Sequence, residues 1–307
     1  MQKLLILLKI QEKMPMFKKI IFLSFLIFFT LNATQAIAKI NLICPDKVAR
    51  GDAFIVTATF DENVGDFIFS WNNKKLPAQG NSLANGKWQA SIMLPVSLDE
   101  KNNSGELIVS LPKKNLSTKK LITFFDKKRP IQKLSVDKKF VNPPKSEMER
   151  IKNDRIKVKN TISNYTHGRM WEVPFYRPVL GSVSSLFGLK RVFNGQPKGT
   201  HRGLDLRGPT GDPIKACADG QVVLVDNLYY SGNAIYINHG EGVFTAYLHM
   251  SEQKVEVNQY VKRGDIIGLV GATGRVTGPH LHLTLIVQGQ SVDPEPFIEN
   301  IKKSGAQ

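Results

Sequence analysis

The sequence predicts a mainly β protein: a small antiparallel β-sandwich, a basic linker with one helix, then a second antiparallel β domain. Three observations carry that reading. Short β-branched and aromatic runs recur at roughly ten-residue intervals from Ile40 towards Phe125, as in a sandwich. The chain then changes character at Asn142-Pro143-Pro144. From Trp171 onward, glycine-marked turns separate β-branched runs with no long amphipathic helix between them. At 307 residues the chain can supply two domains, each with its own core.

Lys18 and Lys19 precede an apolar run over 20–29, and Ala36-Ile37-Ala38 follows. That is the basic, apolar and small-x-small order of a secretory signal, so 1–38 is expected to be removed on export. Met16 is an alternative start to Met1. The apolar run is short for a membrane span, so no stable insertion is expected after cleavage. In 39–126 the runs 53–60, 67–71, 88–93, 106–110 and 120–125 read as strands, and Asn85-Gly86 reads as a hairpin turn. The size is that of an immunoglobulin-like domain. Cys44 is the sole cysteine there, which excludes an internal disulfide. No catalytic constellation is visible in this part.

The formal net charge is +16, and residues 39–307 keep 37 basic against 25 acidic side chains. Sixteen Lys or Arg and five acids lie between Lys113 and Lys159. Such a run reads either as attraction to an anionic polymer or membrane surface, or as a solvated connector. Without interleaved aromatics in an exported protein, nucleic acid is not expected as a partner. Within the linker, 127–175, Ser146 and Glu149 have capping-box spacing. Met148, Ile151, Val158 and Ile162 form a narrow apolar stripe, predicting a helix over 147–162. Cys217, in Ile214-Lys-Ala-Cys-Ala218, reads as a small buried residue, and neither cysteine has CxxC spacing.

In 176–300, strands are predicted over 221–225, 234–237, 243–248, 266–270 and 281–287. Chemistry concentrates on His201-Arg-Gly-Leu-Asp205, His249 and His280-Leu-His282. Imidazole nitrogen and carboxylate oxygen are a donor set for a catalytic zinc ion with one position left for water. Strand alternation puts His280 and His282 on one face and Leu281 on the other. Each motif alone is weak, and their order on a glycine-turned β frame is much stronger. His239, before a glycine turn, reads as a hydrogen-bonded structural residue, and His167 has no functional context.

Gly199-Thr-His-Arg-Gly-Leu-Asp-Leu206, Ala246-Tyr-Leu-His-Met250 and Gly274-Arg-Val-Thr-Gly-Pro-His-Leu-His-Leu283 resemble the LytM/lysostaphin-type zinc endopeptidases, peptidase family M23. The spacers Ala218-Asp-Gly-Gln-Val222 and Val261-Lys-Arg-Gly-Asp-Ile-Ile-Gly268 agree, and the resemblance covers roughly Arg177 to Phe297. It implies that His201, Asp205 and His282 are zinc ligands and that His249 and His280 are the two catalytic non-ligand histidines. Arg191 matches a recurring position near the groove, although an ion pair explains it equally well. The implied function is an exported, periplasmic zinc metalloendopeptidase acting on peptidoglycan cross-links, with D-alanine–diaminopimelate bridges preferred over glycyl-glycine ones. Two alternatives are a non-enzymatic regulator of other wall hydrolases and a carrier β-barrel. The latter would hold no zinc. A sizeable N-terminal part also raises the possibility of latency by covering the groove.

Overall fold

The computed structural model describes residues 39–300, and the expected signal, 1–38, lies outside the described residues. The first strands are β1 (Asn41–Ile43), β2 (Lys47–Ala49), β3 (Ala53–Phe60), β4 (Phe67–Trp71) and β5 (Lys74–Ala78). They continue with β6 (Asn81–Ser82), β7 (Trp88–Pro95), β8 (Ser104–Leu111) and β9 (Leu116–Phe125). These make two sheets, ordered β1-β3-β7-β6 and β2-β9-β8-β4-β5. Alternation does the sorting: Phe54, Val56, Ala58 and Phe60 of β3 face Phe67, Phe69, Leu107 and Val109 in one apolar core. The Asn85-Gly86 turn closes the β6–β7 hairpin, with Gly86 at φ +79° and the Leu83 N–H donating to Lys87 O at 2.7 Å.

The linker holds more than a helix. It contains β10 (Ile131–Leu134), α1 (Lys138–Val141) and α2 (Met148–Ser163). Ile151, Val158 and Ile162 put the predicted stripe of α2 onto the second domain, while Met148 stays 54% exposed. The capping box does not form. Ser146 lies inside a 3-10 turn, Lys145–Glu147, so its backbone is already helical and its side chain caps nothing. Part of the basic run is neutralised within the chain. Lys157 pairs with Asp226, Lys127 lies 2.8 Å from Asp52, and Arg150 lies 3.7 Å from Glu147.

The second domain begins with β11 (Val183–Ser185), β12 (Lys190–Phe193), β13 (Gln196–Thr200), β14 (Leu204–Arg207) and β15 (Pro213–Lys215). Next come β16 (Gly220–Leu228), β17 (Gly232–Asn238), β18 (Val243–Met250) and β19 (Glu252–Gln253). It ends with β20 (Tyr260–Val261), β21 (Ile266–Leu269), β22 (His280–Val287) and β23 (Gln290–Val292). The main sheet runs β11-β14-β22-β18-β17-β16-β20, with β23 on β22. Its β14, β16, β17, β18 and β22 pairings are antiparallel. Edge strand β10 joins β12 in parallel, so the linker extends the smaller β12–β13 sheet.

The main sheet has two distinct faces. Leu281, Leu283, Leu285 and Val287 of β22 join Tyr247, Ile235 and Ile237 in the larger core. Ala53 and Met93 of the first sandwich enter that same core, so the two β regions share apolar packing. Phe244, Ala246, Leu248 and Ile286 on the opposite face lie beneath α2. That second face continues past the helix into the polar cluster described below. Cys44 and Cys217 are both free thiols, and Cys217 is buried in the larger core with its N–H donating to Tyr247 Oη at 2.7 Å.

Candidate metal centre

β14 and β22 bring the cluster together through their register. Asp205 stands opposite His282, and Arg207 opposite His280. With side chains alternating, Asp205, Arg207, His280 and His282 all occupy one face. Leu204, Leu206, Leu281 and Leu283 fill the other. His201 arrives from the turn before β14. Gly203 makes the approach possible: a Cβ there would lie 2.4 Å from His282 Nε2 and 2.5 Å from Leu283 O.

Three donor atoms converge. His201 Nε2 is 3.0 Å from Asp205 Oδ1 and 3.0 Å from His282 Nδ1, which is itself 2.8 Å from Asp205 Oδ1. The outer nitrogens are committed elsewhere. His201 Nδ1–H donates to Leu186 O at 2.7 Å, and His282 Nε2 lies 3.1 Å from Thr284 Oγ1, which can accept its proton. With the ring protons on these outer nitrogens, both inner nitrogens carry lone pairs beside a carboxylate oxygen. Three inward-facing lone pairs repel unless a cation sits among them. Bonds of about 2.0–2.1 Å to a tetrahedral centre separate neighbouring ligands by about 3.3 Å, a spacing this triangle nearly meets. The donor set thus fits a metal ion.

Electrostatics agree. Burial lowers His282 to about 4, so that imidazole is neutral. Arg191 Nη2 donates to the second oxygen, Asp205 Oδ2, at 2.7 Å and to Ser185 Oγ at 3.1 Å. Ser185 Oγ in turn reaches Gln132 Oε1 at 2.9 Å, so the linker strand supports the centre. These outer partners fix the orientation of the inner donors.

His249 stands where strand alternation would not place it. In β18, Val243 and Tyr247 point into the larger core, and His249 is two residues further on. Yet its ring lies 5.1 Å from His280 and 5.8 Å from His282, centroid to centroid, on the polar face. The cause is a bulge. The register slips between Asn233 and Ile235, His249 takes φ +67°, and Met250 turns back into the core. Nδ1 of His249 is tied to Thr273 O at 2.8 Å, and Nδ1 of His280 to Gly278 O at 2.8 Å. In its neutral form each ring therefore carries its lone pair at Nε2. Burial, then the neighbouring His282 and His280, keeps His249 well below its ordinary pKa.

The five residues singled out from sequence thus come together on one face. His239 does not join them: it is fully buried, held by Asp219 O at 2.6 Å and Thr245 Oγ1 at 2.8 Å. Burial lowers it to about 4. Sequence reading missed Ser185, Gln132, Thr273 and Thr284. Thr284 had a signal, because it continues the alternation of His280 and His282. Gln132 had none, since it lies far away in sequence within what reads as a connector.

Beside this cluster opens a cleft of about 440 Å³ whose walls include Asp205, His280, Arg191 and Gln132. No residue of the first sandwich lines it. At the margin of the site, Arg202 lies 2.6 Å from Asp99 of that sandwich.

The family description Peptidase family M23 matches residues 199–294. Peptidoglycan DD-endopeptidase ShyA of Vibrio cholerae is 50% identical over 93 residues, 30% of this chain and 22% of the relative. ShyC, a peptidoglycan DD-endopeptidase of the same organism, is 41% identical over 140 residues, 44% of this chain and 32% of the relative. The chain therefore spans between about a fifth and a third of these curated relatives. A solved structure assigned to peptidase M23 from Pseudomonas aeruginosa has 26% identity and a TM-score of 0.59. The match covers 79% of this chain and 92% of that one. The donor triangle, the paired histidines and these matches agree: residues 199–294 form a domain of peptidase family M23.

Proposed function

We propose that the chain is an exported zinc metalloendopeptidase that hydrolyses peptide cross-links of peptidoglycan, at D-alanine–diaminopimelate bridges. The observation that carries this reading is the convergence of His201 Nε2, Asp205 Oδ1 and His282 Nδ1 within 3.0 Å of one another, next to two further imidazoles. His201, Asp205 and His282 hold the metal. Zinc bound there supplies Lewis acidity, polarising a scissile carbonyl and bringing the pKa of a water towards neutrality.

The remaining steps fall to the chain's own side chains. Thr273 O and Gly278 O each hold a histidine Nδ1–H, so Nε2 of His249 and of His280 is the proton-accepting atom. Either imidazolium can then donate a hydrogen bond to charge developing on the carbonyl oxygen. Arg191, fixed on Asp205 Oδ2, holds the carboxylate in one orientation. The cleft beside them is open and takes an extended peptide.

Relatives named as peptidoglycan DD-endopeptidases support the substrate class. The test is digestion of intact sacculi read by mass spectrometry. Cross-linked fragments are expected to be released with zinc, and to stay uncut with a chelator or with His201→Ala. If saturating zinc releases nothing from either diaminopimelate or glycine-bridged sacculi, the regulator reading replaces this one.

A further inference from the structure

Two arginines in the cleft have no counterion. Arg207 and Arg275 line the same 440 Å³ space as His280 and Asp205. Among the described residues, neither side chain makes an ion pair, and neither donates a side-chain hydrogen bond to the protein. The one carboxylate lining the cleft is already matched, and the other arginine there is of the same sign. Asp205 is paired with Arg191. Arg191 itself is a like charge beside Arg275.

Their placement is built rather than incidental. Arg207 follows Asp205 by two on β14, shares its face, and stands opposite His280 on β22. Arg275 is held by its backbone, whose N–H donates to Tyr230 O at 2.9 Å after the turn at Gly274, φ +76°. Its guanidinium lies 4.8 Å from the Phe193 ring centroid and 4.6 Å from that of Tyr230. Two aromatic contacts fix the plane of the guanidinium and leave its N–H groups without an acceptor. Burial and the charge of Arg191 both press on Arg275, a cost that a bound anion would offset. A rigid planar fork with free donors matches a carboxylate, which accepts two parallel hydrogen bonds.

We infer that Arg275 and Arg207 form a carboxylate subsite that selects substrates with a free carboxylate next to the scissile amide. This rests on the peptide-hydrolase reading above and sharpens it. In a D-alanine–diaminopimelate bridge, the carbon attached to the scissile amide nitrogen bears a free carboxylate. A glycyl-glycine bridge has no such group beside its scissile bond. Arg275 supplies the planar contact, and Arg207, more exposed and opposite His280, supplies long-range attraction at the mouth.

The test is calorimetric titration of the chelated, uncleaving protein with two probes. One is D-alanyl-diaminopimelate with the carboxylate beside the amide free, and the other has that carboxylate amidated. The free form is expected to bind about tenfold to a hundredfold more tightly, the range for charge-assisted hydrogen bonds. Arg275→Gln should erase the difference, Arg275→Lys should restore only part of it, and Arg207→Gln should reduce it. Equal affinity of the two probes for the unmutated protein overturns the inference without needing any variant to fold, and so does absence of binding by both. Discrimination between the probes alongside failure to digest sacculi would remove the peptidase reading and leave the subsite in place.

Discussion

The two β regions solve the same packing problem with opposite side-chain chemistry. In the first sandwich the inward positions are apolar, and Arg50 is the one charged residue of strands β1–β9 and their loops that is buried. In the second domain His201, Asp205, His249, His282 and Thr284 are buried on one face of a sheet whose other face is mainly apolar core, with Thr245 and His239 bonded to each other within it. Burying polar groups costs free energy unless each is hydrogen-bonded or coordinated. The sandwich avoids that cost. The second domain accepts it most densely at this cluster, where the inner nitrogens have no protein proton donor. A sheet face built this way is shaped by chemistry more than by stability.

The contrast can be broken most sharply by exchanging the kind of damage. His282→Ala should lower turnover of cross-linked muropeptides by at least about a thousandfold, as removal of a member of a concerted site does. The same variant should leave the chelated protein as stable as before or more so, by thermal unfolding. Phe69→Ala, in the sandwich core, should do the reverse, costing about 3–5 kcal/mol in denaturant unfolding while the site keeps its donors. A large loss of chelated-state stability in His282→Ala would show that the polar face holds the fold together.

A smaller effect separates the donors from their supports. Arg191→Lys keeps the charge but loses the planar fork that reaches both Asp205 Oδ2 and Ser185 Oγ. Zinc affinity is expected to fall about 10–100-fold, by competition with a chelating dye. Gln132→Ala should lower it less, because its bond acts through Ser185.

The smallest expected effect lies where the two regions meet. Glu241 is buried, its Oε2 has no hydrogen-bond partner, and burial raises its carboxyl to about 7. A raised carboxyl pKa means that the folded state resists ionisation. The penalty is absent below the unfolded-state pKa, builds between that value and about 7, and is complete above it. Glu241→Gln should therefore raise the melting temperature by a few degrees at pH 8 and leave it unchanged near pH 4.

Much of this was legible in the sequence, for identifiable reasons. Period-two alternation marks β3, β4 and β22, whose bounds matched expectation to within two residues at each end. The polar face was legible because His280 and His282 share one strand and His201 and Asp205 one turn. Three features were not. The bulge at His249 depends on a register slip against β17, which no local pattern shows. Strand β10 was read as connector because its alternation is short and its partner, β12, lies some sixty residues on. The capping box at Ser146 failed because a 3-10 turn extends the helical backbone past it.

We propose that His201, Asp205 and His282 form the metal centre. Zinc titration of the chelated protein, followed by calorimetry and elemental analysis, tests it most directly. One zinc per chain is expected, with the stoichiometric site lost in His282→Ala and kept in His239→Gln if that variant folds. Absence of stoichiometric zinc in the unmutated protein, or a site that survives His282→Ala, would contradict the account.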